Sequence, residues 1–184
     1  MRFRLLMTIL GATLALTLGV AGVACGDDDD DTNGDGATNA PDAAGYYSDV
    51  DRIQNSLTEQ LDSISEQSDA AYGDPDKALT SLSAAESAGS AALEDLNALE
   101  APPVATTAHA DLVTASEDLV AAVQDLIDGL AGIEEGPEFE GFLADVLQPD
   151  SAYSQAAEEM REACSGMQAA ADNSLVEIVF QCPV

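Results

Sequence analysis

The chain predicts an all-α protein, an antiparallel helical bundle of four to five helices with a short extended C-terminal segment. Three observations carry that expectation. Apolar residues recur at steps of three and four from Val50 to Ala171, the period of a helix face. Glycine and proline punctuate that pattern at helix-length intervals, at Gly73, Pro102-Pro103, Pro137 and Pro149. A β-prone run appears only at the end, in Leu175, Val176, Ile178, Val179 and Phe180, and it is too short to build a sheet by itself.

The first helix carries the stripe Val50, Ile53, Leu57, Leu61, Ile64 and Ala71, starting at Ser48 with Asp51 and stopping at Gly73. Asp74-Pro75 supplies an N-cap and then the residue best tolerated in a first turn, opening a second helix with Leu79, Leu82, Ala85, Gly89, Leu93 and Leu96. Pro102 and Pro103, which cannot donate a backbone hydrogen bond, end it. The third stripe is Leu112, Ala115, Leu119, Val123, Leu126, Leu130 and Ile133, with Gly129 and Gly132 expected to loosen its end. A shorter fourth segment holds Phe139, Phe142, Leu143, Val146 and Leu147. The fifth begins after Asp150 and carries Tyr153, Ala157, Met160, Cys164, Met167 and Ala171. Short links make consecutive helices antiparallel neighbours. Many stripe positions are alanine, which permits close approach but buries little area, so a thin core without a large internal pocket is expected.

The N-terminus reads as an address. Arg2 and Arg4 precede an uncharged stretch from Leu5 to Ala24, the layout of a secretory signal peptide, although its length would also suit a membrane span. Val23, Ala24 and Cys25 decide between these. The segment resembles the lipobox signal peptide of bacterial lipoproteins, with Gly22 standing where that family carries leucine. The resemblance implies cleavage before Cys25, lipidation of that residue, and a protein tethered by lipid on the extracytoplasmic side of the cell membrane. A diacylated cysteine supplies the second chain that stable anchoring needs.

With residues 1–24 set aside as the signal peptide, Arg52, Lys77 and Arg161 are the only basic side chains against all 35 acids. Nucleic acid is excluded as a partner on this balance, because phosphate binding needs clustered lysine and arginine. Residues 25–45, with aspartates 27 to 31 among Gly, Thr, Asn, Ala and Pro, read as an acidic, disordered tether, and 46–184 as the folded domain. In an oxidising compartment the even pair Cys164 and Cys182 reads as a disulfide that fastens the extended C-terminal run to the bundle.

Candidate sites are few. Asp31, Asn33, Asp35, Asn39 and Asp42 place oxygen side chains at the first, third, fifth, ninth and twelfth positions of a run with Gly36 at the sixth. Such spacing wraps a hard cation, and it is similar to a single calcium loop of a dockerin, which implies calcium as the one ion to consider. Thr38 and Pro41 depart from that pattern, and there is no second copy. His109 on the edge of the third stripe, with Met160 and Met167 one heptad apart, has the residue types of a haem or copper site, against the ordinary reading of core side chains. The acids Glu134, Glu135, Glu138 and Glu140 could supply a carboxylate pair, but read more simply as a solvated loop. No catalytic motif is found: there is no nucleophile elbow, phosphate-binding glycine loop or His-Glu-x-x-His.

The stretch Leu96-Asn97-Ala98-Leu99-Glu100-Ala101-Pro102-Pro103, followed by His109-Ala110-Asp111-Leu112-Val113 and the C-terminal cysteine pair, resembles bacterial lipoproteins built of helical hairpins that have no assigned activity. It implies architecture and location. The expectation is therefore a lipid-anchored, non-catalytic protein that binds a partner protein or ligand at the cell surface. Calcium binding and carboxylate-dependent hydrolysis are the alternatives.

Overall fold

A computed structural model describes residues 42–68, 74–134 and 136–182. Five helices occupy them: α1 (Ala43–Ser68), α2 (Pro75–Asn97), α3 (Thr106–Leu130), α4 (Pro137–Val146) and α5 (Ala152–Asn173). The protein is all-α, and no β-strand occurs among the described residues. Helix α1 packs on α2, α2 on α3, and α3 on α5. The four long helices thus run up, down, up and down, while α4 bridges the end of α3 to the start of α5.

Helix α1 begins earlier than its stripe suggested. Instead of a tether running to residue 45 and a start at Ser48, the helix takes up at Ala43. The Ala44 and Gly45 N–H groups donate to Asp42 Oδ1 and Oδ2, each at 3.3 Å. These are N–H groups that a helix start leaves without an internal partner. The extra turn carries Tyr46 and Tyr47 onto the face that continues to Val50 and Ile53, and all four are buried. At the other end, Ala71 and Gly73 lie outside the described residues.

The Asp74 cap is present as expected: the Lys77 N–H donates to its Oδ1 at 3.2 Å, and Pro75 is at the first helical position. That backbone hydrogen bond, with the Lys77 side chain, holds the Asp74 carboxyl below the usual carboxylate range. Helix α2 ends at Asn97, ahead of Pro102 and Pro103. Gly129 does not loosen α3 but lies inside it and receives a ring, since a Cβ there would stand 2.9 Å from Phe142 Cε2. Ile133, expected in the helix, follows it and packs against the core instead. Gly136 precedes Pro137 at φ 107°, a left-handed conformation that glycine adopts without Cβ strain.

Two apolar clusters close the two ends of the bundle. One gathers Tyr47 and Val50 of α1, Leu96 of α2, Leu112 of α3, Met167 of α5 and Phe180. The other gathers Ala78 and Leu82 of α2, Val123 and Leu130 of α3, and Phe139 of α4, with Tyr153 packed against them.

After α5 the chain turns through a Schellman motif. The Leu175 N–H donates to Asp172 O and the Val176 N–H to Ala171 O, both at 3.1 Å. Leu175 occupies the turn at φ 58°, where glycine is usual, and its side chain is 91% exposed. Beyond it, residues 176–182 lie extended on the bundle, as the sequence implied. The Gln168 amide clasps this strap, donating to Ile178 O at 2.9 Å and accepting the Phe180 N–H at 2.8 Å. Cys164 and Cys182 bring their sulfurs to disulfide distance, 2.06 Å. Leu175→Gly is expected to raise stability by roughly 0.5–1 kcal/mol, because the left-handed penalty exceeds the entropy that glycine adds to the unfolded chain. Urea unfolding checks this, and a destabilised variant would contradict it.

Candidate functional site

Between the two end clusters, the middle of the bundle is not filled. On α2 the inward positions there are Ala85, Gly89 and Ala92, and on α5 the facing position is Ala157, all small. Gly89 brings α2 close to α3, with a Cβ there falling 3.1 Å from Val120 Cγ2. The small residues leave a partly open cleft of about 200 Å³, walled by leucines such as Leu57, Leu61, Leu93 and Leu119 and by Met160. This corrects the expectation of a core without a sizeable pocket. Alanine at these positions leaves the gap open, while Tyr46, Tyr47 and Phe180 fill one end cluster and Phe139 and Phe142 the other. For scale, a cavity of about 150 Å³ lined by leucine, isoleucine and phenylalanine stays dry and admits benzene.

A few polar side chains enter this apolar wall. Gln54 and Thr58 come from α1, Glu86 from α2, Ser116 from α3 and Gln181 from the strap. Two of the hydroxyls have already committed their protons: Thr58 Oγ1 donates to Gln54 O at 2.9 Å and Ser116 Oγ to Leu112 O at 2.7 Å. Their lone pairs remain available. The Glu86 carboxylate accepts from Ser90 Oγ at 3.0 Å. Gln54 Nε2 reaches Cys164 Sγ at 3.8 Å, while Gln54 Oε1 is the buried side-chain polar atom left without a partner among the described residues. Tyr153 also borders the cleft, and burial raises its phenol to about 12, so it stays neutral. No lysine, arginine or histidine lines the cleft among the described residues. Arg52, Lys77 and Arg161 each pair with an acid three residues earlier, Asp49, Asp74 and Glu158.

These residues were missed in the sequence, although a signal was there. Gln54 continues Val50 and precedes Leu57, Glu86 continues Leu82 and precedes Gly89, and Ser116 continues Leu112 and precedes Leu119. Each is a polar residue standing at a helical-stripe position near mid-helix, where an apolar one would complete the face.

Of the candidate residues legible in the sequence, all but Met160 fall outside the cleft lining or outside the described residues. His109 and Met167 do meet, but around Tyr46 rather than an open coordination position: the Tyr46 hydroxyl lies 2.9 Å from His109 Nδ1 and 3.9 Å from Met167 Sδ. Burial lowers the His109 pKa, favouring neutral imidazole, and burial, with the nearby Tyr47, raises that of Tyr46. Met160 lines the cleft instead. Glu134, Glu138 and Glu140 are exposed, the last two in the first turn of α4, where a negative charge suits the helix dipole. The side chain of Glu135 lies outside the described residues. So do Cys25, Asp31, Asn33, Asp35 and Asn39. Asp42, the twelfth residue of the calcium-type run, caps α1. Among the described residues, no three histidine, cysteine or acidic side chains are grouped to hold a metal ion, and no helix is long and apolar enough to cross a membrane.

Comparison of the chain with protein-family models, with curated proteins and with solved structures found no match.

Proposed function

We propose that this protein is a non-catalytic binding protein that takes an apolar small molecule into the cleft between its four long helices. In this reading Cys25 carries the lipid that holds it at the extracytoplasmic face of the cell membrane. The observation that carries the binding role is the cleft itself, about 200 Å³ of apolar-walled space between well-packed ends. Ligand sites in helical bundles are built this way, from inward side chains with a few polar groups that orient the ligand. The lipobox resemblance at Val23-Ala24-Cys25 supports the location.

Fluorescence of N-phenyl-1-naphthylamine tests the binding role, using the full chain in lipid nanodiscs with empty discs as the blank. Saturable enhancement is expected. Ala157→Phe, which places a ring in the cleft, is expected to weaken probe binding at least about tenfold while leaving the helical circular dichroism unchanged, since tenfold is about 1.4 kcal/mol, within what one blocked apolar contact supplies. Leu57→Ala, which widens the cleft, is expected to keep binding. Unaltered affinity in Ala157→Phe would remove the cleft as the site.

A further inference from the structure

The polar groups in the cleft wall are matched to a particular kind of ligand head. Thr58 and Ser116 have spent their protons on carbonyls of their own helices, so toward a ligand they can only accept. Glu86 is a carboxylate and accepts as well. Gln54 adds an amide oxygen that has no donor. Four residues from three helices thus present acceptors, and no cationic side chain lines the cleft among the described residues to balance Glu86. The chain's basic residues within the bundle are held by their own helical neighbours. The Tyr153 hydroxyl and the Gln181 amide can donate, but neither carries charge, so a ligand carboxylate or phosphate entering this cleft would meet the like charge of Glu86 with no cation to offset it, and burying it without a counter-charge is costly. A ligand with a positive charge and N–H donors supplies the cation that the wall lacks and the donor that Gln54 Oε1 is without.

From this arrangement, which rests on the cleft being the binding site, we infer that the ligand is a hydrophobic amine, an apolar body bearing one protonated nitrogen. Glu86 is its counter-ion, and Gln54 and Ser116 are further acceptors for its N–H groups. The formal net charge of −30 draws such a cation toward the protein, while Glu86 gives it one place to rest with its apolar body out of water.

Octylamine, 1-octanol and octanoate share one apolar body and differ only in the head. Their displacement of N-phenyl-1-naphthylamine from the full chain in nanodiscs, at physiological salt, reads the preference. Octylamine is expected to bind at least about tenfold tighter than octanol, the range of one hydrogen bond to a charged group, and octanoate weakest. Glu86→Gln keeps the shape of the side chain and removes its charge; it is expected to bring octylamine down to the affinity of octanol while leaving octanol unchanged. Glu94→Gln, at an exposed acid of the same helix outside the cleft lining, is expected to preserve the preference and so separates a seat at Glu86 from diffuse attraction. Equal binding of the three heads, or a preference for amine that survives Glu86→Gln, would overturn the inference while leaving the apolar cleft as a binding site. Failure of the naphthylamine probe and all three octyl compounds to bind would instead defeat the cleft reading itself.

Discussion

Tyr47→Ala is expected to cost roughly 3–5 kcal/mol, the range measured for removing a large aromatic ring from a packed core. Tyr47 is 0% exposed. Its ring stands edge-on to Tyr46 at 5.2 Å between centroids and tilted against Phe180 at 6.3 Å. Its hydroxyl lies 3.2 Å from Ser174 Oγ, and because that oxygen already donates to Ala170 O at 2.8 Å, the tyrosine is the donor. The side chain therefore ties the first turn of α1, the last turn of α5 and the strap into one contact. Domains have about 5–15 kcal/mol in total, so a loss of this size takes a large share of it. Tyr47→Phe keeps the ring and removes only the hydrogen bond, and is expected to cost about 0.5–1.5 kcal/mol. Urea unfolding followed by circular dichroism measures both. A loss under about 1 kcal/mol in Tyr47→Ala would place the residue outside the core, as a helix starting at Ser48 would have it.

That residue also shows where the sequence was hard to read. Tyr46 and Tyr47 follow Pro41-Asp42-Ala43-Ala44-Gly45, a composition continuous with the acidic segment before it. Their place on a helix face becomes visible only once Asp42 is known to cap the helix, and the spacing of a calcium-type loop gives Asp42 a competing role. The long interior stripes were different. From Val50, from Leu79 and from Leu112 the apolar period runs over several turns, and periodicity summed over that length specifies a helix whatever it packs against. Antiparallel neighbours followed from the short links. The order of packing around the bundle did not, since it depends on how α4 returns the chain to α3.

The cleft was illegible for a related reason. A stripe tells which residues face inward but not whether four inward faces meet. Ala85 and Ala92 are equally compatible with close helices and with a gap. What decides is whether Leu57, Leu119 and Met160 across the cleft fill the space that those alanines leave, which depends on how the helices pack. The polar interruptions Gln54, Glu86 and Ser116 were visible one helix at a time. Their meaning required seeing that they line the same space.

The second large effect concerns the strap. Replacing both Cys164 and Cys182 with alanine is expected to lower stability by about 3 kcal/mol, the loop entropy released to the unfolded chain when a bridge across 18 positions is removed. Alanine is the appropriate substitute because Cys164 is buried, where the hydroxyl of a serine would need a partner. The folded strap keeps other attachments, since the Gln168 amide still holds Ile178 and Phe180, and Phe180 still lies against Tyr47. Far-ultraviolet circular dichroism should therefore remain native while the urea midpoint falls. The consequence reaches the cleft, because Gln181 on its wall is the neighbour of Cys182 and Gln54 loses the sulfur that its amide approaches. Hydrogen exchange at the Phe180 amide distinguishes the two ways this loss could arise. Protection close to that of the parent, with a lower global stability, places the effect in the unfolded chain. Exchange accelerated far beyond the global change places it in a strap that has come away from the bundle. An unchanged urea midpoint would show that the cysteine pair contributes nothing to holding this fold together.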